Sequence, residues 1–381
     1  MYGGTRLFCD NAAAALAQRG WQVALLDLEN RDVAATILQV AATAGSFDLI
    51  FSINILGDFK DGLGRSLRDL FGGPHVVWFV DYVLSQGPRI RGTPASTAIL
   101  VVDPTQLEAI RQVYGAGRFA YLGFLPHPAI GQAAADDASV AAFCERRPIE
   151  ILWSGSYTPP DLPWDQLQEA SRRILRDAVD EALSVEWAPP HEVLDRVLAA
   201  RGLDLSSPTA AETREAARLV DSEVRKVRRM EFLVAVAKTG LPLRICGAWW
   251  ENQLSRFSNA VYEGAVDMTR VAELMAQSRL VLNTNGNFGA GSHERPFSAS
   301  LAGAATFSDV SRYYAQVFRP GENIELFQWK QLDAGMDALV SLAGDPERCF
   351  AYGRSAKALA LQAHTWDTQI DAVLAAADAV R

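Results

Sequence analysis

The sequence predicts an α/β chain of two Rossmann-like domains facing a cleft, the second carrying a helical insert. Three observations lead there: a length of 381 residues, short buried-strand patterns alternating with helical ones, and a second such series after a proline-rich connection. Single hydrophobic cores stop growing near about 250 to 300 residues, so two domains are expected. Alternating strand and helix means parallel sheets covered on both faces.

In the first series, residues 21–28 (WQVALLDL), 47–53 (FDLIFSI), 75–80 (HVVWFV), 98–102 (AILVV) and 118–122 read as strands, being short and rich in β-branched and aromatic residues. Helical patterns lie between them at about 5–19, 32–43, 61–71 and 104–114. The last opens on Asp103-Pro104, a cap followed by proline in the first turn. The chain given starts at Met1-Tyr2-Gly3-Gly4 and runs straight into a helix. A Rossmann-like half begins with a strand, so the sequence leaves two alternatives: further residues upstream of Met1, or a sheet one strand short. The N-terminal sheet is accordingly expected to have a vacant or exposed pairing position. Gly3 and Gly4 are the candidate phosphate loop of this half.

Residues 129–148 read as a linker between an N-terminal domain (1–128) and a C-terminal one (149–365), with 366–381 as a terminal helix. In the second series the strand 149–153 (IEILW) ends in Ser154-Gly155-Ser156-Tyr157, and 243–246 (LRIC) ends in Gly247. Strands also fall at 280–283 (LVLN) and 305–307. Between the first two lies the insert, about 163–222, with its own Pro189-Pro190 break, a candidate protein-binding element and a protrusion or wall that would help choose an acceptor. The helix at about 221–238 carries Arg225, Lys226, Arg228 and Arg229 away from its apolar stripe. A solvated charged face and phosphate binding both fit these bases.

Composition narrows the function. A net charge of −9 and a pI near 5.2 lack the basic face that nucleic acid or an anionic membrane requires. Cys9, Cys144, Cys246 and Cys349 are too far apart for a zinc motif or a disulfide framework. No apolar run approaches the roughly 20 residues that span a bilayer, and no signal-peptide pattern opens the chain, so the cytoplasm is the expected location.

Ligands of open parallel sheets bind beyond the carboxyl ends of the strands. The segment 280–309 (LVLNTNGNFGAGSHERPFSASLAGAATFSD) is the most informative such place. A strand gives way to a loop with Gly286, Gly289 and Gly291, and Ser292 then caps a helix whose first turn holds His293, Glu294, Arg295 and Pro296. Glycines let backbone amides approach a ligand, and a helix start favours an anion. Arg295 would add a charge-assisted bond to a diphosphate. A well-capped surface helix with an ion pair is the structural alternative. Asp81, after the strand HVVWFV, is placed to orient or deprotonate a hydroxyl, or simply to cap a turn. His75 and His127 read as structural.

The segments LNTNG, HERPF, LAGAA, the following SD, FRPGENIELF and Ala363-His364-Thr365-Trp366 resemble the CgeB-like glycosyltransferases, relatives of glycosyltransferase family 4 with the GT-B fold. LRICGAWW extends the likeness upstream; VVWFVDY and YLGFLPHPA carry it loosely into the first domain. The resemblance implies transfer from a nucleotide diphosphate sugar without a metal or other cofactor, to an unidentified sugar, lipid or protein acceptor. The donor would meet Gly155, Ser156, Tyr157, Gly247, Ala248, Trp249, Asn283, Asn285, Gly291, Ser292, His293 and Arg295, with the amides of Pro296 and Phe297 receiving the diphosphate. Asp81, Glu294 and Arg295 would be catalytic. No Asp-x-Asp motif is present.

The family's paired glutamates, separated by seven intervening residues, are missing. Placing the second at Ser298 puts the first at Ala290, and starting from Glu294 puts the second at Ala302. A catalytically silent protein that binds a nucleotide sugar, or a partner through its insert, is therefore the alternative function. A two-lobed periplasmic binding protein would need an export signal that the sequence does not show.

Overall fold

The computed structural model describes residues 6–26, 32–157, 167–206, 213–286 and 288–381. They form two compact units: Met1–Pro126 with Ser206–Glu215 and Trp366–Arg381, and His127–Leu205 with Ala216–Thr365.

The first unit has a parallel sheet of β1 (Ile50–Ile53), β2 (His75–Phe79), β3 (Ala98–Val101) and β4 (Tyr121–Phe124), in that spatial order. Its helices are α1 (Arg6–Gln18), α2 (Val33–Ala44), α3 (Leu67–Phe71), α4 (Gly87–Gly92) and α5 (Thr105–Tyr114). β2 and β3 are wholly buried and, His75 apart, apolar along their length, as strands covered on both faces must be. The Asp103 carboxylate accepts the Thr105 N–H at 2.8 Å at the start of α5. Trp78 donates to the Leu125 carbonyl at 3.1 Å and meets the ring of Trp366 edge-on at 5.4 Å.

The strand expected at 21–28 is not seen in its described part. Residues 21–26 are described and have no strand assignment, the rest lie outside the described residues, and β1 pairs only with β2 among those described. An apolar run becomes a strand only by pairing, and among the described residues no strand pairs with this one. Between it and β1 is a cavity of about 210 Å³ lined by Cys9, Val23, Leu25, Ile50, Ile53 and Phe71, among others. Val23 and Leu25 are left 39% and 54% exposed. Gly3 and Gly4 lie outside the described residues. The helix expected over 61–71 is confined to α3, where Ser66 and Asp69 form a reciprocal capping box.

The second unit has six parallel strands, β5 (Ile149–Ser154), β6 (Leu243–Cys246), β7 (Ala260–Gly264), β8 (Ser278–Asn283), β9 (Ala305–Asp309) and β10 (Glu325–Phe327), in the order β10-β9-β8-β5-β6-β7. The short edge strands β7 and β10 carry too little pattern to be read from sequence. The proposed linker contains a helix, α6 (Val140–Arg146), capped by Ser139.

Of the helical insert, α7 (Glu169–Ser184) and α8 (Pro190–Ala200) are described; they are followed by the 22-residue α9 (Ala217–Lys238). The insert packs into this unit, since Arg228 of α9 donates to the Val185 carbonyl at 2.7 Å and Glu186 accepts the Trp329 N–H at 2.7 Å. A helix α10 (Glu251–Leu254) follows β6, α11 (Met268–Ala276) precedes β8, and α12 (Glu294–Leu301) and α13 (Arg312–Val317) flank β9. The unit closes with α14 (Leu332–Ala343) and α15 (Pro346–Ala363); α16 (Trp366–Asp378) belongs to the first unit. Phe232 of α9 stacks on Phe327 at 5.0 Å between ring centroids, at the centre of the second core.

Candidate functional site

In the second unit the carboxyl ends of β5 and β8 and the helices α9 and α12 converge. Gly247 sits at φ 140°, and a Cβ there would meet the Gly155 carbonyl oxygen at 2.4 Å, so the ends of β5 and β6 can touch only with glycine. Tyr157 donates its N–H to the Ala248 carbonyl at 3.0 Å, and Ser156 Oγ accepts the Ala248 N–H at 3.1 Å. This pins Ser156 and Tyr157 in front of the sheet.

Beside them is a small polar pocket lined by Tyr157, Ser222, Arg225, Lys226 and Arg229. Arg225 and Arg229, one helical turn apart, share a face of α9. Arg225 is 3.8 Å from Asp221 and borders Gly286, where an added Cβ would be 3.5 Å from its side chain. Arg229 reaches the Ser156 carbonyl at 3.5 Å, and its Nε is buried with no hydrogen-bond partner among the described residues. Burial first, then the neighbouring Arg225 and Arg295 cations, weaken its hold on charge. A guanidinium does not lose its proton in a protein, so Arg229 stays charged, its repulsion with Arg225 and Arg295 opposed by Glu294 and Asp221. Of the two readings of these bases, a fully solvated face does not hold: Lys226 and Arg228 are 8% and 3% exposed. Arg228 turns to the insert and lies 5.1 Å over the Trp329 ring.

Arg295 is a buried brace. Its Nε donates to Ser154 Oγ at 2.9 Å, its Nη1 to Asn283 Oδ1 at 2.5 Å, and its guanidinium lies 5.3 Å over the Trp153 ring. Asn283 therefore holds Arg295 and the Ser308 hydroxyl, while Asn285 bonds Tyr314 OH at 3.0 Å and the carbonyls of Phe288 and Gly291. Both asparagines shape the loop from within.

The cap of α12 is one residue later than expected. His293 has extended backbone and is the N-cap, because Ser292 Oγ accepts the His127 N–H at 3.0 Å. Pro296 carries no backbone N–H for a phosphate, and Phe297 is core, stacked on His364 at 4.2 Å. His293 Nδ1 lies 2.5 Å from Glu294 Oε2, and His127 stacks on His293 at 5.7 Å. Burial opposes charge on Glu294, but the imidazole beside it and Arg295 outweigh that and hold its carboxyl below the usual range. Burial likewise lowers His293. His293 Nδ1 also accepts the Arg295 N–H at 3.4 Å, the capping bond of α12.

The remaining candidates are more separate. Trp249 is 62% exposed with φ 66°, whereas Trp250 is buried and donates to the Gly155 carbonyl at 2.6 Å. Asp81 lies in the first unit, exposed, accepting from Asn54 Nδ2 at 2.8 Å. Ser298, where the family pattern has a glutamate, accepts the Ile130 N–H at 2.9 Å.

Sequence reading did not select Ser222, Asp309 or Trp187. Asp309, at the end of β9, is buried, accepts the Asn285 N–H at 2.5 Å and Trp329 Nε1–H at 3.1 Å, and burial pushes its pKa up to about 6. Trp187, between α7 and α8, lies against Gly289, where an added Cβ would be 2.0 Å from the indole. The i, i+4 spacing of Arg225 and Arg229 was a usable signal; the others meet only through tertiary packing. Among the described residues no group of three His, Cys, Asp or Glu is placed to hold a metal ion, and no helix is long and apolar enough to cross a membrane.

Residues 225–375 match the family model described as glycosyl transferase-like. No curated protein sequence matches the chain. Among solved structures it is similar to sucrose-phosphate synthase from Thermosynechococcus elongatus, at 10% identity over 98% of this chain and 92% of that one, with a TM-score of 0.55. It is also similar to Anabaena HepE in complex with UDP-glucose, at 12% identity over 98% and 96%, with a TM-score of 0.53. Against TarM, at 8% identity and a TM-score of 0.43, it covers 80% of its own length and 54% of that longer chain. The two parallel α/β units are those of GT-B glycosyltransferase structures.

Proposed function

We propose that the protein is a GT-B-type glycosyltransferase that takes a sugar from a nucleotide diphosphate donor and passes it to a hydroxyl acceptor. The observation that carries this reading is the crowding of Arg225, Lys226 and Arg229 around one polar pocket beyond β5, next to the α12 start. Arg229 keeps a buried Nε with no hydrogen-bond partner among the described residues, and a diphosphate would bring both acceptor oxygens and negative charge to this cluster. In this reading the chain's own cations and the α12 dipole stabilise the departing diphosphate, with no metal. The family match over 225–375 and the UDP-glucose complex of HepE support a nucleotide-sugar donor.

The resemblance to the CgeB-like group, a cytoplasmic location and Asp81 as an acceptor-side group belong to the same proposal. Incubation with a panel of nucleotide sugars, with water as acceptor, tests it: slow release of nucleoside diphosphate is expected, and neither binding nor release of any would contradict it. A second reading, a silent nucleotide-sugar binder, is favoured by Ser298 and Ala290 standing where the family pattern has glutamates. Binding without turnover on every donor would select it.

A further inference from the structure

We infer that Asp81 and Arg89 of the first unit, positioned by Asn54, bind the hydroxyl groups of a sugar, and so that the acceptor is a sugar; the second step rests on the glycosyl-transfer reading. The residues stand at the carboxyl ends of β1 and β2, the end of an open parallel sheet that holds ligands. β1 stops at Ile53, and the chain turns at once through two left-handed residues that are not glycine, Asn54 at φ 59° and Leu56 at φ 66°. Such backbone persists only where its surroundings hold it, and it gathers at ligand clamps.

Asn54 is held at every polar group. Its N–H donates to the Trp78 carbonyl at 2.9 Å, and its Oδ1 accepts the Val80 N–H at 2.8 Å. Its Nδ2 donates to Asp81 Oδ2 at 2.8 Å, while its carbonyl accepts from Arg89 Nη1 at 3.0 Å. One fixed residue therefore places both a carboxylate and a guanidinium. Gln86 Oε1 takes the same Arg89 nitrogen at 2.9 Å, so the other arms of the fork, Nε and Nη2, have no partner among the described residues. Asp81 is exposed, and its Oδ1 has no partner among them either.

The two charges decide what fits. Asp81 and Arg89 form no ion pair among the described residues; each is tied to Asn54 instead. An anionic ligand would meet the Asp81 carboxylate, and a cationic one the Arg89 guanidinium. A neutral polyol satisfies both, because each hydroxyl donates as well as accepts. One sugar hydroxyl donates to Asp81 Oδ1 while another accepts from Arg89, and bonds to ionised partners are the strong ones. Asn54 acts through its two neighbours, as a positioning residue.

Saturation-transfer NMR on the full chain, with and without uridine diphosphate, tests the site without needing turnover. The probes are the methyl glycosides of glucose, galactose, mannose, N-acetylglucosamine and rhamnose, and wild type is expected to bind at least one of them. D81N and R89Q should each weaken that glycoside by about tenfold or more, the loss of one charge-assisted bond. Asn54→Gly, which keeps the left-handed backbone and removes the side chain, should weaken it by about tenfold as well. In transfer assays the loss in Asn54→Gly and R89Q should fall on the acceptor KM and not on kcat, a split that general loosening of the fold would not give. D81N, isosteric and exposed, carries the test should Asn54→Gly not fold. No glycoside bound by wild type, or equal binding in wild type, D81N and R89Q, would overturn the inference and leave the glycosyl-transfer reading standing. Glycoside binding by a protein that binds no nucleoside diphosphate would keep the sugar site and remove that reading.

Discussion

Arg295 Nε and Ser154 Oγ, from positions 141 apart in sequence, meet at 2.9 Å and join α12 to the end of β5. With the Asn283 bond, this brace ties two adjacent central strands to the helix that carries His293 and Glu294. Removing Arg295 would strand two buried polar groups. Arg295→Ala is therefore expected to cost about 3 to 5 kcal/mol of stability, read as a large fall in melting temperature. Unchanged melting with lost nucleotide binding would instead mark Arg295 as a direct ligand.

Asp309 gives a pH prediction with a definite sign. Its folded pKa is raised by burial from 3.8 to about 6, so the folded state holds the proton more tightly than the unfolded chain. Its contribution to stability is then greatest below the unfolded value and falls as pH rises to about 6, by on the order of 3 kcal/mol. Denaturant unfolding of wild type and Asp309→Asn at pH 4 and pH 7 checks this: the variant should gain on wild type as pH rises. A pH-independent difference would contradict it.

The insert should be coupled to the glycine loop through one contact. Because a Cβ on Gly289 would stand 2.0 Å from the Trp187 indole, Gly289→Ala must displace that ring. Overpacking of this kind costs about 1 to 3 kcal/mol. The companion Trp187→Gly, Gly289→Ala double variant should recover part of the loss, and a double variant no better than the single would show that the contact does not matter.

The central strands of both sheets were legible because residues 76–79, 98–101, 151–153 and 280–282 are unbroken apolar runs, whose pattern survives without knowledge of neighbours. The run at 21–28 has the same look, yet residues 21–26 are not assigned as strand, since pairing is a property of two segments and sequence shows one at a time. Within the site, the loop and His293-Glu294-Arg295 were found because they lie together in sequence. The division of labour among them was not: Arg295 was expected to meet the diphosphate, and only the positions of Ser154 and Asn283 reveal it as a brace. For Arg225 and Arg229 the sequence left a solvated face and phosphate binding both open, because Tyr157, which lines their pocket, comes from more than sixty positions upstream.

The claim on which the function rests is that α9 supplies the diphosphate site. Calorimetric titration of uridine, guanosine and thymidine diphosphates into wild type, Arg225→Ala and Arg229→Ala measures it directly. Losing one charge-assisted bond should weaken binding of the preferred nucleotide by about tenfold to a hundredfold. Arg229→Ala should also leave the melting temperature of the free protein unchanged or raised, since it relieves repulsion with Arg225 and Arg295. Equal affinity in wild type and both variants would contradict the account.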